Sequence, residues 1–124
     1  MSRAVIALCA AVFATVAFGP AASAAAQHSF SCNPPAWSVD CGKSFPVASG
    51  KSIWVNFRSN AYPVGFKAYN TSGNHYLGKT GQRTSGNLKL WYNDTSRTIR
   101  VQVRASAVVP PGVYGHVSGT YWIG

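Results

Sequence analysis

Arg97-Thr98-Ile99-Arg100-Val101-Gln102-Val103-Arg104-Ala105 is the stretch that decides the fold. Ile99, Val101 and Val103 share one parity, while Thr98, Arg100, Gln102 and Arg104 share the other. Side chains alternate faces along a strand, so this spacing describes a strand with one dry face and one wet face. Four other segments repeat the pattern. In Ser52 to Arg58, Ile53, Val55 and Phe57 read inward and Trp54, Asn56 and Arg58 outward. From Val64 to Asn70, Val64, Phe66 and Ala68 read as core, leaving Lys67 and Tyr69 outside. Leu88, Leu90 and Tyr92 read inward, with Lys89 and Trp91 outward. In the last strand Val113, Val117, Tyr121 and Ile123 share one parity, and Tyr114, His116 and Trp122 the other.

Turn-forming residues separate these runs. Ser49-Gly50, Ser59-Asn60, Thr71-Ser72-Gly73-Asn74, Asn93-Asp94-Thr95-Ser96 and Pro110-Pro111-Gly112 all favour tight reversals. Further strands are expected over Lys43 to Ala48 and His75 to Lys79, with a loop over Thr80 to Gly86. No segment has the periodicity of an amphipathic helix. Short strands at this spacing predict an all-β domain, a small antiparallel β-sandwich of immunoglobulin-like or jelly-roll style, with a small barrel as the alternative. The segment before Lys43 shows little strand pattern of its own.

Residues 1–26 are expected to be a secretory signal peptide. Met1-Ser2-Arg3 is a short basic start, Ala4 to Phe18 is uncharged and almost wholly apolar, and Ala22-Ser23-Ala24 offers a small-x-small cleavage pattern. The apolar run is shorter than the roughly 20 residues that a bilayer core requires, so no integral membrane segment is expected in the mature chain. Residues 27–124 then form a single domain, secreted to the extracellular space. Cys9 leaves with the leader, and Cys32 and Cys41 are expected to form a disulfide in an oxidising compartment. Closing so short a loop stabilises by roughly 2–3 kcal/mol.

Asp40 and Asp94 are the only side-chain carboxylates of the chain, against eleven Lys and Arg, for a formal charge of +9. Losing Arg3 lowers this by one. Such an excess favours polyanions: nucleic acid, anionic polysaccharide or wall polymer, or an anionic membrane surface. The same charge would also serve plain solubility. Outward parity selects Trp54, Arg58, Lys67, Tyr69, Lys89, Trp91, Arg100 and Arg104 as candidate ligand-binding residues. Rings beside cations suit sugar faces and anionic polymers. Because a sandwich has two outer faces, the alternatives are that these residues are scattered or that they form an interface between copies.

Signals for catalysis are poor. The two aspartates would have to be the glycosidase pair, yet Asp94 lies in a turn where aspartate is ordinary. His28, His75 and His116 show no metal-site or catalytic spacing. No enzyme activity, cofactor or metal is expected. Two sequons, at Asn70 and Asn93, fall in turns and carry no functional weight.

The segment from Gly50 to Ile123 resembles the small β-sandwich modules appended to bacterial exoenzymes, such as pre-peptidase C-terminal domains. The resemblance rests on Gly50-Lys51-Ser52-Ile53-Trp54-Val55-Asn56-Phe57, on Phe66-Lys67-Ala68-Tyr69-Asn70-Thr71-Ser72-Gly73 and on Pro111-Gly112-Val113-Tyr114. It implies a sandwich fold and an extracellular location; those modules are aspartate-rich, unlike this chain. The expected function is that of a secreted, non-enzymatic binding module for an extracellular polysaccharide or other anionic polymer. A cationic antimicrobial or toxin-like effector, or an enzyme inhibitor presenting the Cys32–Cys41 loop, are the alternatives.

Overall fold

The computed structural model describes residues 26–124. The expected signal peptide, Cys9 included, lies outside the described residues apart from Ala26. Nine strands follow in order: β1 (Ala26–Cys32), β2 (Val39–Asp40), β3 (Phe45–Val47), β4 (Ser52–Ser59), β5 (Val64–Asn70), β6 (His75–Lys79), β7 (Ser85–Tyr92), β8 (Ile99–Ala107) and β9 (Val117–Ile123). They build two antiparallel sheets. Sheet A runs β1-β9-β4-β7, and sheet B runs β2-β8-β5-β6, with β3 beside β2 along the same edge of β8. The all-β sandwich expected from strand parity is the observed architecture.

The core lies where the inward parities meet. Ile53, Val55, Phe57, Val117, Tyr121 and Ile123 come from sheet A, and Val64, Phe66, Ala68, Val101, Val103 and Ala105 from sheet B. Phe30, Phe66 and Tyr121 form its aromatic centre, Phe30 stacked on Tyr121 at 4.2 Å and edge-on to Phe66 at 5.7 Å. The Tyr121 hydroxyl is not left unpartnered: it donates to the Cys41 carbonyl at 2.7 Å. Burial pushes this phenol well above its usual value of 10.0.

The N-terminal segment departs from the expectation. Ala26–Cys32 pairs with β9 along its whole length, from Ala26 opposite Ile123 to Cys32 opposite Val117. His28, Phe30 and Cys32 take the inward parity, and His28 stacks on Phe45 at 4.6 Å. Gln27, Ser29 and Ser31 face outward. Histidine and cysteine fill core-facing positions here, which is why a search for aliphatic residues misses the alternation. Cys32 and Cys41 are joined as expected.

Backbone approach fixes sheet A at its centre. A Cβ on Gly119 would collide with the Asn56 carbonyl oxygen and stand 2.8 Å from the Phe57 Cα. Glycine is therefore required for β9 to lie beside β4. At the β7–β8 turn, buried Asn93 is hydrogen-bonded on every side. Its Nδ2 donates to the carbonyls of Val47 (2.9 Å) and Arg97 (2.8 Å), and its Oδ1 accepts from the Thr95 amide (3.0 Å) and hydroxyl (2.6 Å). The amide that a glycan would need in the second sequon is thus already taken.

Candidate functional site

The outer face of sheet A is built in cross-strand rows. Gln27, Trp122, Trp54 and Lys89 form one row, from β1 through β9 and β4 to β7. Ser29, Thr120, Asn56 and Asn87 form the next, and Ser31, Ser118, Arg58 and Ser85 the third. Trp54 and Trp122 stack with ring centroids 5.3 Å apart and planes 10° from parallel. Lys89 Nζ lies 5.7 Å from the Trp54 ring. The Trp122 indole reaches across β4, and its Nε1 donates to Asn87 Oδ1 at 3.2 Å. Beside it lies an open depression of about 240 Å³, lined by Trp122, Gln27, Asn56 and Thr120. No carboxylate stands at an outward position of these rows. The local chemistry is therefore an indole wall beside amides and a hydroxyl, with cations at its margins.

Three of the eight candidate residues, Trp54, Arg58 and Lys89, share this face. Lys67, Tyr69, Arg100 and Arg104 stand on the outer face of sheet B, on the far side of the core. There Asp40, Arg104, Lys67 and Lys79 form one row, and Gln102, Tyr69 and Tyr76 the next. Arg104 is held by three partners: Asp40 Oδ1 at 3.1 Å, Asn74 Oδ1 at 3.0 Å, and the Tyr69 ring at 4.6 Å. Tyr76 meets Tyr69 edge-on at 5.9 Å. Arg100 donates to Ser44 Oγ at 3.1 Å. The single aromatic and basic face expected from parity is thus two faces of one sandwich.

Trp91 belongs to neither. The β4–β7 register shifts between Ile53, which pairs with Trp91, and Trp54, which pairs with Lys89. Leu90 is the extra residue of this bulge, and the parity of everything after it is reversed. Leu90 is 4% exposed, Trp91 packs against the core, and Tyr92, expected inside, is 49% exposed on the outer face. Gly78 of β6 makes room for this, since a Cβ there would stand 2.7 Å from the Leu90 carbonyl oxygen. Nothing in the local sequence marks the bulge, because Leu-Lys-Leu-Trp-Tyr alternates plausibly in either register. Trp122 and Asn56 were read as outward without being among the eight, and Gln27, Asn87 and Thr120 were not considered. The outward parity of Trp122 was legible, but its partner Trp54 comes from strand order.

The histidines serve separate positions. His28 packs on Phe45, His75 opens β6, and His116 Nδ1 lies 2.7 Å from Asn33 Oδ1. Asp40 is engaged by Arg104, and Asp94 stands exposed in the β7–β8 turn. No protein-family model, no curated protein and no solved structure matches this chain.

Proposed function

We propose that the protein is a secreted, non-enzymatic binding module that holds an extracellular glycan on the outer face of sheet A. The observation that carries this reading is the stacked Trp54–Trp122 pair beside the depression lined by Gln27, Asn56 and Thr120. A pyranose ring has an apolar C–H face and a polar rim. An indole wall takes the first, and neighbouring amides and a hydroxyl take the second. The strands that carry the two indoles, β4 and β9, are paired on both sides in the centre of the sheet, so the wall is preorganised and little order is lost on binding.

The test is a titration of the mature protein with soluble neutral cell-wall oligosaccharides, followed by indole fluorescence. Saturable quenching that disappears in Trp122→Ala supports the reading. Wild-type-like titration of Trp122→Ala and Trp54→Ala sinks it.

One observation favours a second reading, that of an inhibitor. Trp37 is 62% exposed within the Cys32–Cys41 loop. That loop is clamped: Pro34 and Pro35 carbonyls accept the amides of Gly115 (2.9 Å) and Ala107 (2.7 Å). A rigid loop presenting one aromatic ring is suited to filling a partner's pocket. Stoichiometric capture of a secreted hydrolase, lost on reduction or in Trp37→Ala, would favour it over the glycan reading.

A further inference from the structure

We propose that Lys67 and Lys79 form a second binding site, for the acidic groups of an anionic polysaccharide, on the outer face of sheet B. It does not rest on the glycan reading of sheet A. The two lysines are cross-strand partners on β5 and β6. They line an open depression of about 490 Å³ together with Gln82 and Ser106, and Gly65 lies beneath. Gly65 has a specific role there, because a Cβ at that position would stand 3.0 Å from Gln82 Cγ. The missing side chain lets Gln82 fold down beside the lysines.

The charge pattern separates this site from the rest of the face. Arg104, next in the row, is neutralised by Asp40, which forms the sole salt bridge among the described residues. Lys67 and Lys79 have no such partner, so two like charges face one depression and repel each other until an anion enters. An ammonium is a compact donor that imposes no planar geometry, so it takes sulfate, phosphate or carboxylate oxygens alike. The Gln82 amide and the Ser106 hydroxyl can add neutral hydrogen bonds to the same group.

A polysaccharide fits better than single-stranded nucleic acid. Binding of the latter draws on open rings that stack successive bases. On this face the Tyr69 ring is covered by Arg104 and met by the edge of Tyr76, which leaves Tyr76 as the exposed ring. Charge recognition without base stacking is what remains.

The experiment measures binding of dextran sulfate, polygalacturonate and uncharged dextran at several salt concentrations. The proteins are the wild type, the double variant Lys67→Gln/Lys79→Gln, and a control with two exposed lysines elsewhere, Lys43→Gln/Lys51→Gln. The expected result is that the wild type binds at least one of the two acidic polymers through Lys67 and Lys79, and that any binding of dextran is the same in the Lys67/Lys79 variant. The Lys67/Lys79 variant should bind the acidic polymer at least tenfold more weakly, with a log–log salt slope shallower by about one to two, at unchanged melting temperature. Trp122→Ala should bind the acidic polymers as the wild type does. Preference between the two polymers identifies the acid as sulfate or carboxylate. Equal losses in both double variants would reduce the effect to net charge and overturn the site. Absence of binding to either acidic polymer, or tighter binding of single-stranded DNA than of both, would also overturn it.

Discussion

The two outer faces of this sandwich are made from the same strand pattern and end with opposite chemistry. On sheet A the outward positions of β9 and β4 place two indoles side by side, among amides and hydroxyls with Lys89 and Arg58 at the margins. On sheet B the outward positions of β8, β5 and β6 bring Arg104, Lys67 and Lys79 into one row, with the Tyr69 ring already engaged by Arg104. An apolar ring face gains from stacking, which salt barely affects. Unpaired ammonium groups gain from counterion release, which salt weakens. Composition alone merges these residues into one basic, aromatic surface; strand order assigns them to surfaces that a single small ligand cannot span.

The largest expected effect concerns the tryptophan assigned to neither face. Trp91→Ala should lower stability by about 3 kcal/mol in urea unfolding, as for a large side chain packed on the core. Trp54→Ala should lower it by about 1 kcal/mol, the worth of an aromatic pair. Equal losses would return Trp91 to the outer face and undo the bulge.

Next comes Trp122→Ala, which should weaken neutral oligosaccharide binding by about 1–3 kcal/mol, as for loss of one stacking ring. Dextran sulfate binding should stay within about twofold, far under the tenfold that 1.4 kcal/mol represents. Parallel losses with both probes would show one continuous site in place of two.

Tyr121 tests the core that the two faces share. Its folded phenol is held neutral by burial, whereas in the unfolded chain it ionises near pH 10.0. The stability it contributes is therefore fully present below pH 10 and falls as pH rises beyond it, by up to about 1.4 kcal/mol per unit. Tyr121→Phe should flatten this alkaline slope, at a loss near neutral pH of about 1 kcal/mol for the bond to Cys41. An unaltered slope in the variant would place the alkaline sensitivity elsewhere.

The smallest expected effect is that of Arg104→Ala on stability, under about 1 kcal/mol, since its pairing with Asp40 is exposed to water. A loss of several kcal/mol would mean that Arg104 anchors sheet B as well as decorating it.

The alternation in Ile99–Val103, Ile53–Phe57 and Val64–Ala68 was enough to read the sandwich and most of its core. Cys32–Cys41 was legible from spacing and the expected oxidising compartment. β1 was not, because its inward residues are His28, Phe30 and Cys32, and its stability comes from pairing with β9 and stacking on Phe45. Trp91 was misread because one extra residue at Leu90 reverses parity, and a bulge is set by the partner strand. The candidate site suffered most, since Trp122 and Trp54 are 68 positions apart and meet through the order β9-β4. Parity states which way a side chain points, while neighbourhood depends on strand order that no single strand encodes.

The most direct measurement is a pair of amide and indole NMR titrations of residues 27–124, one with a neutral cell-wall oligosaccharide and one with dextran sulfate. The neutral glycan should shift Gln27, Trp54, Asn56, Asn87, Thr120 and Trp122 and leave Lys67, Lys79, Gln82 and Ser106 in place. Dextran sulfate should do the reverse. Shifts of the same residues by both probes would contradict the separation of the two faces.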